Sequence, residues 1–173
     1  ASPAVISQKE FEALLDQEPA KVRQAGRVVM VQCVGSRDEE HPYCSRICCT
    51  EAVKNALRLK QLNPKVNVYV LYRDMRTYGF KEALYRDARA AGVMFVRFDP
   101  ETRPDVKVQD GRLHVSVYDP VLQRRLGIDA DLLVLSAGVV PPKTNPALGQ
   151  LLKVPLNEDG FFLEAHMKLR PVD

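Results

Sequence analysis

An alternation of short apolar runs with helical segments most constrains the fold of this chain. Three β-branched runs are typical of strands buried on both faces: Arg27–Cys33 (RVVMVQC), Val66–Tyr72 (VNVYVLY) and Val93–Phe98 (VMFVRF). Residues 44–62 and 79–91, which lie between them, have the apolar spacing of amphipathic helices. Strands connected in this way form a parallel sheet through right-handed crossovers. The sequence therefore predicts an α/β fold.

The pattern changes after the third run. Val106–Gln109 and Leu113–Tyr118 flank Asp110-Gly111 and predict a hairpin with a type I′ turn, and Val121–Ile128 predicts a third antiparallel strand. Asp131–Ser136 (DLLVLS) predicts a return to the parallel sheet. The fold class is thus a Rossmann-like parallel sheet with a β-meander insertion. It resembles the NAD-binding domain of two-dinucleotide-binding flavoproteins.

These elements divide the chain into three parts. Residues 1–26 are expected to form an N-terminal helical lead-in, and residues 27–138 the Rossmann-like domain. Residues 139–173 begin with a proline-rich loop and are expected to form a partial return segment. Within that segment, Pro146–Leu152 predicts a short helix and Phe161–Glu164 a final strand.

The turn after the first strand lacks the glycines of a nucleotide site. A dinucleotide-binding domain places G-x-G-x-x-G there, so that the backbone can approach phosphate closely. In this chain the turn reads Cys33-Val34-Gly35-Ser36-Arg37-Asp38, with a single glycine. We therefore expect the fold to be retained and its ligand to have changed.

Four cysteines cluster at this position with the spacing Cys-x10-Cys-x3-Cys-Cys. They fall within 17 residues: Cys33, Cys44, Cys48 and Cys49. A disulfide framework normally spreads its cysteines along the chain, so the clustering favours a metal site in a reducing cytoplasm. The periodicity predicts that the last three cysteines begin a helix and that Cys33 approaches from the strand end.

The adjacent pair Cys48-Cys49 bears on the kind of metal. Tetrahedral zinc requires sulfurs roughly 3.8 Å apart, whereas adjacent helical side chains diverge by about 100°. A four-iron cluster has more widely separated corners and accommodates such a pair more easily. Free buried thiols, a dithiol redox centre and structural zinc remain alternatives. The helix N-terminus, with Arg37 and Arg46, is expected to favour an anionic cluster and to raise its reduction potential.

One stretch carries a family resemblance. Residues 31–46 (VQCVGSRDEEHPYCSR), continuing as ICCTEAVKNALRLK, resemble the A subunit of heterodisulfide reductase and its relatives, including flavoprotein subunits of quinone-interacting oxidoreductase complexes. The resemblance continues through residues 70–79 (VLYRDMRTYG), residues 137–139 (AGV) and residues 156–169 (LNEDGFFLEAHMKL). It implies a thioredoxin-reductase-like protein whose inserted Rossmann-like domain holds one [4Fe-4S] cluster on Cys33, Cys44, Cys48 and Cys49.

The resemblance also implies FAD in the full-length protein. The family's N-terminal FAD fingerprint is absent from this chain, which also lacks an initiator Met. We therefore expect an excised internal domain that does not bind FAD or catalyse a reaction alone. The expected partners are other subunits of a heterodisulfide reductase-like or related electron-transfer complex.

Composition weighs against other partners. Twenty-five basic and 22 acidic residues give a scattered net charge of +3, which does not favour nucleic acid. No apolar run approaches the roughly 20 residues of a membrane-spanning helix, and residues 1–10 lack the features of a secretory signal. We therefore expect no membrane insertion and a cytoplasmic location.

Other polar residues are expected to be structural. His41 lies between the cysteines and is a possible substitute ligand, but a solvent-exposed loop position is favoured. His114 is expected at the surface, and the pair Asp129 and Asp131 in a turn before a strand. Residues 73–76 (RDMR) follow the second strand, where dinucleotide domains read the ribose; they are expected to be vestigial or part of a partner surface.

Three functions compete at this point. The first is an electron-transfer domain with an iron–sulfur cluster inside a larger oxidoreductase. The second is a zinc-stabilised partner-binding module without a redox role. The third is a nicotinamide-binding domain with an unusual loop, which the lone Gly35 disfavours.

Overall fold

The computed structural model describes residues 3–109 and 112–164. In chain order the elements are β1 (Val5–Ser7), α1 (Gln8–Gln17), α2 (Pro19–Val22), β2 (Arg27–Val34), α3 (Cys48–Leu62), β3 (Asn67–Tyr72), α4 (Glu82–Ala90), β4 (Met94–Arg97), β5 (Asp105–Gln109), β6 (Arg112–Asp119), β7 (Arg124–Ala130), β8 (Leu132–Ala137) and α5 (Asn145–Leu152). Short 3-10 helices lie at Gly79–Lys81 and Pro100–Thr102.

A five-stranded parallel sheet forms the centre of the domain. Its strand order is β1-β8-β2-β3-β4, and all four neighbouring pairs are parallel. β2 lies in the middle, which is why Val28, Val29 and Met30 are completely buried. The order β4-β3-β2-β8 is the Rossmann arrangement, in which the first strand of the unit lies inside the sheet. The predicted fold class is confirmed.

The two faces of the sheet are covered differently. Helices α1, α3 and α4 cover one face, where Phe11, Val53 and Ala88 pack against inward-facing strand residues. The antiparallel meander β5-β6-β7 covers the other face through residues such as Val115 and Val117. The predicted meander is confirmed, although its Asp110-Gly111 turn lies outside the described residues. No helix in the described ranges is long and apolar enough to cross a bilayer.

The N-terminal segment contributes a strand that the sequence does not predict. Val5–Ser7 pairs in parallel with Leu133–Leu135 at the edge of the sheet. Ser7 then caps α1 in a capping box, in which its hydroxyl accepts from the backbone N–H of Glu10. Three residues are too few to show a period of two, so only the pairing with β8 identifies this strand.

The predicted strand at residues 161–164 is wrong. Leu156 and Phe162 form a single antiparallel bridge, and no ladder follows it within the described residues. Asn157 closes a tight turn because its side chain and carbonyl hold the N–H groups of Phe161 and Gly160. Beyond the turn the N–H of Leu163 donates to the carbonyl of Pro155 at 2.8 Å, so in the described residues the two arms pair at this one bridge. By contrast, α5 covers the segment predicted as a short helix.

Gly138 makes the closest backbone approach at the carboxyl edge of the sheet. Its N–H donates to Val34 O at 2.7 Å, and a Cβ at this position would overlap the carbonyl of Gly35. We expect Gly138→Ala to lower the free energy of unfolding by about 2 kcal/mol, because backbone must move to admit the methyl group. Urea unfolding followed by circular dichroism measures this loss.

Gly26→Ala is the matched control. Its added Cβ would meet only the Asp131 carboxylate, at 3.3 Å, which accepts from the N–H groups of Gly26 and Arg27 and has to shift by only a few tenths of an ångström. We expect a smaller loss at Gly26, within about 1 kcal/mol of the parent. Equal losses at both positions would show that the close approach of Gly138 is not what requires glycine.

Candidate metal centre

Three elements bring the four cysteines to the carboxyl edge of the sheet. Cys33 lies near the end of β2, Cys44 lies in the loop of residues 35–47 (the cysteine loop), and Cys48 and Cys49 form the first turn of α3. All four are free thiols. Cys48 and Cys49 are buried, whereas Cys33 and Cys44 are half-buried. This edge is where open α/β sheets bind their ligands.

The helix begins later than its periodicity predicts. The sequence predicts a helix from Cys44, but α3 starts at Cys48 and Ile47 is its N-cap. The reason is local: Arg46 is left-handed (φ 63°), and the N–H of Ile47 donates to the carbonyl of Ser45 at 2.8 Å. Cys44 therefore approaches the site from the loop and does not share a helix face with Cys48.

Left-handed backbone is concentrated around the cysteines. Cys33 (φ 61°), Gly35 (φ 67°) and Arg37 (φ 58°) alternate along the chain, and Arg46 follows at the end of the loop. Such residues persist only where the surrounding structure holds them, and they concentrate at functional sites. The pairing of β2 with β8 also shifts register between Val31 and Val34, which takes Cys33 out of the regular strand alternation.

Hydrogen bonds fix the path of the cysteine loop. Arg37 N–H donates to Tyr43 O at 3.1 Å and closes the loop on itself. The hydroxyl of Ser45 accepts from the N–H of Val139 at 2.9 Å, which ties the residue after Cys44 to the segment after β8. The ring of Tyr43 also meets that of Phe161 edge-on at 5.2 Å. Cys44 is therefore held on both sides.

An ionic network connects the loop to the end of β3. Arg37 Nη2 lies 2.6 Å from Asp74 Oδ2, and Arg76 Nη2 lies 3.7 Å from the same oxygen. Arg73 Nη1 donates to the carbonyl of Arg37 at 2.6 Å. The thiol of Cys49 donates to the carbonyl of Asp74 at 3.6 Å. Residues 73–76 thus support the cysteine loop, a role that the sequence does not predict.

The surroundings separate the thiol pKa values. A hydrogen bond from the Cys48 thiol lowers the pKa of Cys49 to about 6, although burial opposes this effect. The nearby Arg76 and Arg37 also lower the pKa of Cys49. The hydrogen bond between the two thiols, together with burial, raises the pKa of Cys48. Burial also raises the pKa of Cys33, and Arg37 partly offsets this effect. Cys48 interacts electrostatically with Cys33, Cys44 and Cys49, so the four side chains share one environment.

Several buried donors at the site have no partner among the described residues. They are Arg37 Nη1, Tyr43 OH and Arg73 Nε. Buried polar groups are nearly always hydrogen-bonded, so donors of this kind mark the place of an acceptor. An anionic group held by the cysteines fits this donor set. In the described part of the chain, no three His, Cys, Asp or Glu side chains are close enough together to hold a single metal ion.

The other candidate residues have structural surroundings. His41 is half-buried rather than exposed, and its ring meets Tyr43 edge-on at 5.8 Å. His114 Nδ1 lies 2.9 Å from Asp129 Oδ1, a partner that the sequence does not predict. Asp131 accepts from the N–H groups of Gly26 and Arg27 where β2 begins. The last two interactions lie at the sheet edge opposite to the cysteines.

The sheet order and the covering meander define a Rossmann-like domain whose fold resembles that of dinucleotide-binding flavoproteins. Thioredoxin reductase of T. acidophilum matches with a TM-score of 0.54 at 14% identity, over 98% of this chain and 46% of that chain. L-lysine 6-monooxygenase of Pseudomonas syringae matches with a TM-score of 0.50 at 13% identity, over 95% of this chain and 47% of that chain. At such low identity the likeness shows the fold alone.

Sequence relatives are more specific. The iron-sulfur A subunit of CoB–CoM heterodisulfide reductase from Methanocaldococcus jannaschii is 43% identical over 166 residues, covering 90% of this chain and 24% of the relative. The A subunit of ferredoxin:CoB-CoM heterodisulfide reductase from Methanosarcina acetivorans is 41% identical over 150 residues, covering 85% of this chain and 18% of the relative. No protein-family model matches the chain. The chain is therefore homologous to a segment of the heterodisulfide reductase A subunit, and it spans about a quarter or less of these relatives.

A double-mutant cycle measures how strongly the ionic network holds the loop. We expect Arg37→Met and Asp74→Asn to show a coupling of about 1 kcal/mol in the free energy of unfolding, because the Arg37 side chain is only 16% exposed. Urea unfolding of the parent, the two single variants and the double variant provides the measurement.

The pair Lys54–Glu12 is the control. It has the same 2.6 Å separation, but its side chains are 51% and 41% exposed. Water screens such a pair, so we expect a coupling of about 0.3 kcal/mol. If the coupling between Arg37 and Asp74 is no larger than this value, the ion pair does not hold the cysteine loop in place.

Proposed function

We propose that this domain transfers electrons within a larger flavin- and iron–sulfur-containing oxidoreductase resembling the A subunit of heterodisulfide reductase. Cys33, Cys44, Cys48 and Cys49 would hold one [4Fe-4S] cluster. The observation that carries the proposal is the set of four free thiols at the carboxyl edge of the sheet, surrounded by buried donors that lack acceptors. The names of the relatives support it, since one is named an iron-sulfur subunit.

The chemistry expected of the bound cluster is one-electron transfer, which requires no acid or base from the protein. The role of this chain is to hold the sulfurs and to compensate their charge. Arg37 and Arg76 lie beside the thiols that lose protons on metal binding, and the first turn of α3 adds the positive end of its dipole. Together they stabilise negative charge at this edge.

Access to the site also suits electron transfer. Cys44 borders an open cleft of about 390 Å³, whose other wall includes Val139 and Phe161. One of the proposed ligands, Cys44, would thus lie near the surface, while Cys48 and Cys49 are buried. We propose that redox partners approach on this side, and that they are further subunits of a heterodisulfide reductase-like complex. FAD would bind elsewhere in the full-length protein.

Two further parts of the proposal follow from the same site. The Rossmann-like iron–sulfur domain would comprise residues 27–138, with residues 1–26 leading into it and residues 139–173 leading toward an FAD domain. A reducing cytoplasm would keep the four thiols available for iron.

Metal content tests the proposal directly. We expect the chain, purified or reconstituted without oxygen, to contain about four iron and four sulfide, and to show a paramagnetic resonance signal after reduction. Each of Cys33→Ser, Cys44→Ser, Cys48→Ser and Cys49→Ser is expected to lose most of its iron, because each thiolate holds one corner. Iron and sulfide assays on the variants provide the measurement.

His41→Ala is the control, because it removes the one histidine of the cysteine loop without touching a thiol. We expect it to keep the iron content of the parent. One zinc per chain and no absorption in the visible range would instead identify a zinc-stabilised module, and the electron-transfer proposal would be rejected.

A further inference from the structure

Two buried polar side chains beside the metal centre lack hydrogen-bond partners. Gln32 is 1% exposed, and neither its Nε2 nor its Oε1 has a partner among the described residues. Ser136 is also 1% exposed, and its Oγ likewise lacks a partner there. Buried polar groups are nearly always hydrogen-bonded, so two of them without partners near the same site indicate a missing partner.

Strand geometry places both side chains on one face of the sheet. Side chains two residues apart on a strand share a face. Gln32 follows Met30 by two residues and Ser136 follows Val134 by two, and both Met30 and Val134 belong to the core beneath the helices. β2 and β8 are neighbours whose register pairs Val31 with Leu135 and then, after the register shift, Val34 with Ala137, so Gln32 and Ser136 both lie between these two pairs.

This position is next to the cysteines. Gln32 directly precedes Cys33, and both polar residues lie at the carboxyl ends of their strands. The helix on that face, α3, begins with Cys48 and Cys49. A Gln amide and a Ser hydroxyl are each able to donate a hydrogen bond to sulfur. The two unpartnered donors therefore lie on the face that α3 covers, at the sheet edge where its first turn carries two of the four thiols.

We propose that Gln32 and Ser136 are positioning residues that donate hydrogen bonds to sulfur at the cysteine centre and thereby raise its reduction potential. The inference rests on the proposed function. In the redox step the centre gains one electron from an external reductant, no bond is made or broken, and no proton is transferred. The added charge makes sulfur a stronger acceptor, so these donors stabilise the reduced state more than the oxidised state.

A second buried amide provides a matched control. Gln8 is 3% exposed and also has an unpartnered Nε2, but its Oε1 accepts from Asn55 at 2.9 Å. Gln8 follows β1, which lies on the far side of β8 from β2. Asn55 lies about two helical turns beyond Cys48. Replacing Gln8 thus removes the same chemical group from the same core, at a greater distance from the cysteines.

The experiment compares three variants, Gln32→Leu, Ser136→Ala and Gln8→Leu. The iron and sulfide content of each is assayed first, and its midpoint potential is then measured by redox titration monitored by paramagnetic resonance. We expect Gln32→Leu to keep its iron and to shift its midpoint to lower potential. At a fixed ambient potential the reduced-to-oxidised ratio should fall about tenfold, which corresponds to 59 mV for one electron. Ser136→Ala should shift in the same direction by less, and Gln8→Leu should not shift.

The outcomes separate this inference from the proposed function. A parent protein without iron rejects the proposed function before any potential is measured. If Gln32→Leu and Ser136→Ala contain iron and have the same midpoint potential as the parent, the inference is overturned. That result would indicate that buried water satisfies these polar groups. If Gln32→Leu does not fold, the midpoint potential of Ser136→Ala is the deciding measurement. A shift to lower potential supports the inference, and an unchanged potential overturns it. A shift of equal size in Gln8→Leu also overturns it.

Discussion

The ion pair between Arg37 and Asp74 joins the loops that follow β2 and β3, and the arrangement of the four thiols depends on this junction. Because the two strands are parallel neighbours, their following loops emerge at the same edge of the sheet. Arg73 strengthens the junction through the carbonyl of Arg37, and Cys49 contacts the backbone of Asp74. One set of contacts therefore fixes the loop, the helix start and the strand end that carry the four thiols.

The four cysteines lie where this fold otherwise binds a nucleotide. A phosphate needs glycines there because it approaches the backbone itself. In this chain the protein's own backbone occupies the space next to the turn, because Gly138 packs against Gly35. The register shift also takes Cys33 out of the strand alternation. The carboxyl edge still offers what an anionic ligand requires, namely a helix N-terminus and nearby arginines. The architecture is thus retained while the chemistry of the turn changes.

Much of the fold follows from the order of residues. The β-branched runs, the helical spacing and the hairpin pattern identify every strand from β2 to β8, because buried strands and amphipathic helices leave strong periodic signals. The cysteine spacing likewise identifies the candidate site, whose four thiols the fold brings to one edge of the sheet. Two features do not follow from local sequence: β1 is too short to show a period, and α3 starts late because Arg46 adopts a left-handed conformation. The first is decided by pairing with the distant strand β8, and the second by a local backbone conformation that side-chain periodicity does not record.

By itself, the sequence determined the α/β class, the loss of the nucleotide-binding glycines and the identity of the four candidate ligands. Only the tertiary structure decided which residues surround those ligands. Asp74, Arg73 and Ser136 are far from the cysteines along the chain, and parallel strand pairing brings them to the same edge. Periodicity records which face of an element is buried, but it does not record which strands are neighbours, and the environment of the thiols depends on the neighbours.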